Sequence, residues 1–193
     1  GTALQWGQTM PEYRRYFVPG GTFFFTLVAD QRRPILTSQL GRRCLRASFE
    51  RERGKRPFEL VAFVLLPEHL HTIGTLPRGD ADYPLRWQKI QEYFTRDFLA
   101  GGGEEGTRSP SLQRRRERAI WQPRYWEHTC ITETDLKNHL DYVHWNPVKH
   151  GLVRRVRDYP WSSFHRFQAL GEYDPDWGGE DPCPDLGIPE AFW

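Results

Sequence analysis

The chain has 193 residues, and its 27 lysines and arginines against 25 aspartates and glutamates leave a formal charge of +2, so no global charge draws it toward nucleic acid or a membrane. Its 38 % hydrophobic and 15 % aromatic content excludes wholesale disorder, and a folded chain of this size buries roughly 70 % of its extended surface. No apolar run approaches the ~20 residues that span a bilayer, and no signal-peptide pattern is present. Cys44, Cys130 and Cys183 lie too far apart for a disulfide framework or a thiolate zinc site; a cytoplasmic protein with reduced thiols is expected.

Thr22 to Ala29 (TFFFTLVA) follows Gly20-Gly21 as a short aromatic run and predicts a buried strand. Leu40, Cys44, Leu45 and Phe49 recur at helical spacing among arginines and predict an amphipathic helix ending near Gly54. Phe58 to Leu66 reads as a second strand, turned by Pro67-Glu68 into a third from His69 to Leu76. Trp87, Ile90, Phe94 and Phe98 mark a helix from about Tyr83 to Leu99. Residues 100–118, rich in Gly, Ser and charge, predict a mobile loop. Ile120 to Ile131 predicts a strand that Pro123 confines to an edge or shortens to Tyr125 onward. Thr132-Glu133-Thr134-Asp135 then caps a helix carrying Leu136, Leu140 and Val143, expected to stop around Asn146-Pro147.

The first six elements follow the split βαβ order, so the expected fold class is α+β: a ferredoxin-like βαββαβ antiparallel sheet with helices on one face, followed by one more helix. Residues 156–193 hold eight acidic residues against Arg157 and Arg166, a balance of −6, so residues 1–155 carry +8. A basic domain spanning 1–155 and an irregular acidic tail spanning 156–193 are expected, and the basic part suits a polyanionic partner.

His69 and His71, two apart on a predicted strand, project from the same face, and one metal ion can take both. The pair alone is a weak motif and needs a third ligand. On the following helix Tyr142 and Asn146 lie four residues apart, on one face. Asn146 can offer its amide oxygen to the metal while the Tyr142 phenol meets a bound phosphate. A phenol, with a pKa near 10, attacks phosphorus well only when the phosphate is polarised. Mg2+ and Mn2+ both suit that task.

Several blocks occur in a set order: YRRYFVPGGTFFFT, FVLLPEHLHTIGTLP, IWQPRYWEH, HLDYVHWNPVKHGLV and YPWSSFHRF. This series, from about Tyr13 to Phe167, resembles the REP-associated tyrosine transposases, relatives of the IS200/IS605 single-strand transposases in the HUH endonuclease superfamily. The resemblance implies a ferredoxin-like catalytic domain with His69 and His71 as the HUH ligands, Asn146 completing the metal site and Tyr142 as the nucleophile. It implies cleavage and rejoining of single-stranded DNA at REP-type hairpins through a 5′-phosphotyrosine link, by a monomer or a homodimer. Arg14 and Arg15 beside Tyr13 and Tyr16, Arg124 within WQPRYW, and Lys149 combine cations with aromatics and are candidate DNA contacts. Two other readings stay open at this point. One is a metal-dependent hydrolase without a covalent intermediate, short of a base because Glu68 is expected to point away from His69; the other is a hairpin-binding protein that does not cleave.

Overall fold

Four strands, β1 (Thr22–Val28), β2 (Glu59–Leu65), β3 (His69–Thr75) and β4 (Trp126–Cys130), form one sheet in the order β2-β3-β1-β4. Every neighbouring pair is antiparallel. The computed structural model describes residues 18–178, so Arg14 and Arg15 and the end of the acidic tail lie outside the described residues. The fold is α+β, and β3 sits between β1 and β2 as the split βαβ order requires.

Alternation of side chains along the strands sorts the core into two layers. Phe23, Phe25 and Leu27 of β1 and Leu70 of β3 point to the face covered by α1 (Gln39–Lys55) and α2 (Tyr83–Ala100), where they meet Cys44, Leu45, Trp87, Ile90 and Phe94. Phe24 of β1, Ala62 and Val64 of β2 and Ile73 of β3 point the other way, against Tyr142 and Val143 of the helix that follows β4. The sheet is therefore covered on both faces, and β3 is buried from His69 to Gly74. Ser38 caps α1 by accepting the Gly41 N–H, and Asp82 caps α2 by accepting the Leu85 N–H.

Of three stretches that the sequence left hardest to read, two differ from expectation. The segment read as a mobile loop contains a short helix, α3 (Pro110–Arg115), capped by Ser109 and anchored by the buried Leu112. One inward leucine gives no periodicity to read, and the Ser-Pro start is the only local signal. As Pro123 predicts, β4 is a shortened edge strand whose regular pairing starts at Trp126, while Trp121 ahead of it makes a lone bridge to Ala29. The helix α4 (Glu133–Lys149) runs through Pro147 and ends three residues later than expected. Proline deprives only the Val143 carbonyl of its usual donor, and His150, Gly151 and Leu152 N–H groups close the end on Asn146, Val148 and Pro147.

Residues 156–178 are more regular than an irregular wrap. They include a 3-10 turn at Val156–Asp158 and a helix α5 (Phe164–Ala169). Val156, Phe164 and Tyr173 pack on Trp145, Ser163 meets His144 Nε2 at 2.8 Å, and the Tyr173 hydroxyl donates to Asp141. Ser162 and its neighbours add to the outer edge of β2. The helix α4 is thus held between the sheet and the segment behind it. Among the described residues no helix is long and apolar enough to cross a membrane.

Candidate active site

His69 and His71 occupy alternate positions of β3, where the antiparallel register sets them opposite Val28 and Thr26 of β1. Their imidazoles meet with centroids 4.9 Å apart, and both side chains are fully buried. Each ring is held at Nδ1: His71 by the Thr26 hydroxyl at 2.8 Å, His69 by Glu68 Oε1 at 3.2 Å. Holding Nδ1 fixes the ring plane and presents Nε2 as the ligand atom.

The Glu68 contact corrects the expectation that this carboxylate points away from His69. Glu68 belongs to the turn, outside the pleated strand, so strand alternation does not govern it. Its hydrogen bond to His69 outweighs partial burial and, with Arg32 nearby, lowers its pKa to about 2; it stays a carboxylate at neutral pH. Burial foremost, then the charges of His69 and His150, drives the His71 pKa well below its ordinary value, against the Asn146 amide, which acts to raise it. His71 is accordingly neutral, the form that ligates metals.

Helix α4 crosses this face and brings Tyr142 and Asn146 down together. The Tyr142 ring lies 5.3 Å from the His71 ring and 5.9 Å from that of Phe24, edge-on to both. Tyr142 is 2 % exposed and Asn146 is 0 % exposed, so the face they share is buried together with that of Leu136, Leu140 and Val143. Burial of α4 on two sides widens its inward face to include them. Asn146 Oδ1 is buried toward His71 without a hydrogen bond of good geometry, a state that costs roughly 1–3 kcal/mol unless another positive partner is supplied. Two imidazoles and an orphaned amide oxygen fit a divalent ion such as Mn2+ or Mg2+.

Lys149, one turn beyond Asn146, places its ammonium 5.1 Å from the centre of the Tyr142 ring. His150 stacks edge-on to His69 at 5.0 Å; no sequence spacing singled it out, because it follows the proline at which the helix was expected to stop. Arg124 stands apart from these groups. It lines a groove of about 390 Å³ with Thr26, Arg115, Gln122 and Trp126. Thr26 belongs to both places, since it holds His71 from the groove's floor. Arg115 reaches this groove on α3. Of the two tryptophans flanking Arg124, Trp121 is buried in the α1/α2 layer, while Trp126 is half-buried and packs on Phe24.

No family model matches the chain. A curated protein of Escherichia coli, "REP-associated tyrosine transposase", is 43 % identical over 172 residues, covering 89 % of this chain and 93 % of that protein. One of Haemophilus influenzae, "Putative REP-associated tyrosine transposase", is 41 % identical over 180 residues, covering 93 % and 98 %. A solved structure described as the REP-associated tyrosine transposase bound to a REP hairpin aligns with a TM-score of 0.76 at 41 % identity, over 94 % of this chain and 98 % of that one. Sheet and sequence together define a transposase. The chain belongs to the family of REP-associated tyrosine transposases.

Proposed function

We propose that this transposase cuts one DNA strand at a REP-type hairpin and rejoins it through a covalent tyrosine link. In this reading Tyr142 is the nucleophile, and His69, His71 and Asn146 hold a divalent ion, Mn2+ or Mg2+. The observation that carries it is the packing of the Tyr142 ring 5.3 Å from the His71 ring, with the Asn146 amide oxygen orphaned one helical turn away. The hairpin-bound relative supports the choice of DNA.

The bound ion supplies Lewis-acid polarisation of the scissile phosphate. The rest falls to the chain. Tyr142 gives up its proton as its oxygen bonds to phosphorus; the bond from phosphorus to the 3′-oxygen breaks, and that oxygen takes a proton to leave as a hydroxyl. The Lys149 ammonium over the ring favours the phenolate. Phosphodiester energy is kept in the 5′-phosphotyrosine, so attack by another 3′-hydroxyl rejoins strands without ATP. Because Tyr142 is 2 % exposed, the phosphate enters only as the groups around the phenol give way. Glu68 is engaged by His69 and by Arg32. It therefore serves better to orient His69 than to activate water, which favours the tyrosine route over hydrolysis. Incubation with a labelled single-stranded REP hairpin and Mn2+, followed by denaturing electrophoresis, tests the reading: a hairpin strand linked to protein is expected, and product without any adduct would replace it with the hydrolytic one.

Thr26→Val keeps the shape of residue 26 but removes the hydroxyl on His71 Nδ1. A ~10–100-fold loss of Mn2+ affinity is expected, measured by titration calorimetry; unchanged affinity would mean that packing alone holds the ring.

Arg124 and Arg115 in the groove beside Thr26, and Lys149 at the helix end, suit the backbone of the strand flanking the hairpin, with Trp126 as a surface for a base. Arg124→Ala is expected to lower the slope of log affinity against log salt by about 0.7, the value for one single-strand phosphate contact. An unaltered slope in fluorescence anisotropy would remove Arg124 from the interface. Arg14 and Arg15 remain candidates of the same kind from the sequence.

The proposed ligands and nucleophile all come from one chain, which supports a monomer as the acting unit, in the cytoplasm where its DNA lies. Sedimentation velocity at assay concentration is expected to give a single species near the 22.9 kDa of the chain. A dimer that alone carries activity would overturn this.

A further inference from the structure

A second group of chelating side chains lies outside the proposed reaction. His128 on β4 and Asp135 and His139 on α4 each offer a ligand atom within 4.8 Å of the others. His128 Nε2 lies 2.9 Å from Asp135 Oδ2, and His139 Nδ1 lies 3.0 Å from Asp135 Oδ1. The two imidazoles stack with centroids 4.5 Å apart and planes 15° from parallel, so both present a nitrogen to the same carboxylate. That carboxylate also accepts the Ile131 N–H at 3.0 Å, and His139 Nδ1 is 2.9 Å from the Asp135 carbonyl oxygen.

Sequence explains the assembly. Asp135 and His139 are four residues apart, on one face of α4. The β1–β4 register sets His128 opposite Phe24, on the sheet face that α4 covers. Two imidazoles and a carboxylate from adjacent rigid elements form a nitrogen-rich donor set of the kind zinc takes. This differs from the hydrated, oxygen-rich surroundings that Mg2+ prefers.

We propose that His128, Asp135 and His139 form a second metal site, for a zinc-class ion, that ties β4 to the first turns of α4. The Phe24 ring separates it from the first site, 5.0 Å from His139 on one side and 5.4 Å from His71 on the other. His139 precedes Tyr142 by less than one turn, so the ion fixes the rotation of the helix that carries the phenol. Its role is positioning, and it touches no reacting atom. The binding stands without the reading of Tyr142 as nucleophile; only the positioning consequence rests on that reading.

The test is a Co2+ and Zn2+ titration of the chelator-stripped chain, with d–d absorption counting ions and thermal melting reporting stability. Wild type is expected to take two equivalents, and His69→Ala/His71→Ala to retain one. That variant should keep a zinc-induced rise in melting temperature that is lost when His128→Gln is added. His128 is half-exposed on an edge strand, so its replacement is compatible with folding, which circular dichroism checks; Asp135→Asn, able to keep the Ile131 contact, is the second variant and should also lose the ion. A single equivalent in wild type that His69→Ala/His71→Ala abolishes would overturn the proposal, leaving the three groups as hydrogen-bond partners only. An ion count that falls with His128→Gln but not with His69→Ala/His71→Ala would uphold this site and count against the first.

Discussion

Tyr142→Phe is expected to abolish the covalent protein–DNA adduct and to lower strand cleavage by on the order of 10⁴-fold or more, the scale seen when a nucleophile is removed from a preorganised site. The fold should survive, because the ring's contacts with Phe24 and His71 are edge-on packing that phenylalanine reproduces. Hairpin affinity should move little for the same reason, which separates a chemical defect from a binding one. The adduct is read on a denaturing gel after incubation with labelled single-stranded hairpin and Mn2+. Tyr125 is the competing phenol in the sequence. It packs against the α1/α2 layer, on the opposite side of the sheet from His69 and His71, so Tyr125→Phe is expected to leave the adduct intact. An adduct that persists in Tyr142→Phe would move the chemistry to another side chain.

The parts of this site that could be read from sequence are those set by local periodicity. Strand alternation puts His69 and His71 on one face whatever the rest of the fold does, and an interval of four puts Asn146 one turn from Tyr142. The strand order followed in the same way, from runs such as TFFFTLVA whose aromatic density marks a covered sheet. What was not readable depends on contacts distant in sequence. Thr26 orients His71 from 45 positions away, and the groove holding Arg124 gains Arg115 only through α3. The burial of Tyr142 depends on Phe24 and Ile73 across the sheet, and the cover on Trp145 behind α4 on Val156, Phe164 and Tyr173, in a stretch whose Pro, Gly and Trp content shows no period. Glu68 and His150 share another cause. Each lies where a local rule ends: strand alternation does not govern Glu68, one residue outside β3, and a proline in the last turn of α4 removes one hydrogen bond but leaves the remaining closures in place, so the helix carries on to His150.

Removing the ion from the first site should separate chemistry from recognition. Chelation, or His69→Ala, is expected to reduce cleavage by about 10²–10⁴-fold, the equivalent of the several kcal/mol that Lewis-acid stabilisation of a phosphate transition state supplies. Hairpin affinity should change by less than about threefold, since the cations offered to the backbone lie on α3, ahead of β4 and at the end of α4. His71→Ala should be the more damaging of the two substitutions. Both substitutions empty a fully buried position, but His71→Ala also leaves the Thr26 hydroxyl, itself 1 % exposed, without its imidazole partner, whereas His69→Ala releases Glu68, which keeps Arg32 as a partner at 3.4 Å. Added Mn2+ should therefore restore the chelated wild type further than it restores His69→Ala, and His71→Ala should also lose thermal stability before any ion is supplied. Cleavage kinetics with and without chelator, beside anisotropy on the same hairpin, measures both effects. Cleavage that persists in the chelated wild type would mean that Tyr142 works with the chain's own cations, Lys149 nearest among those described here, and would withdraw His69, His71 and Asn146 as ligands.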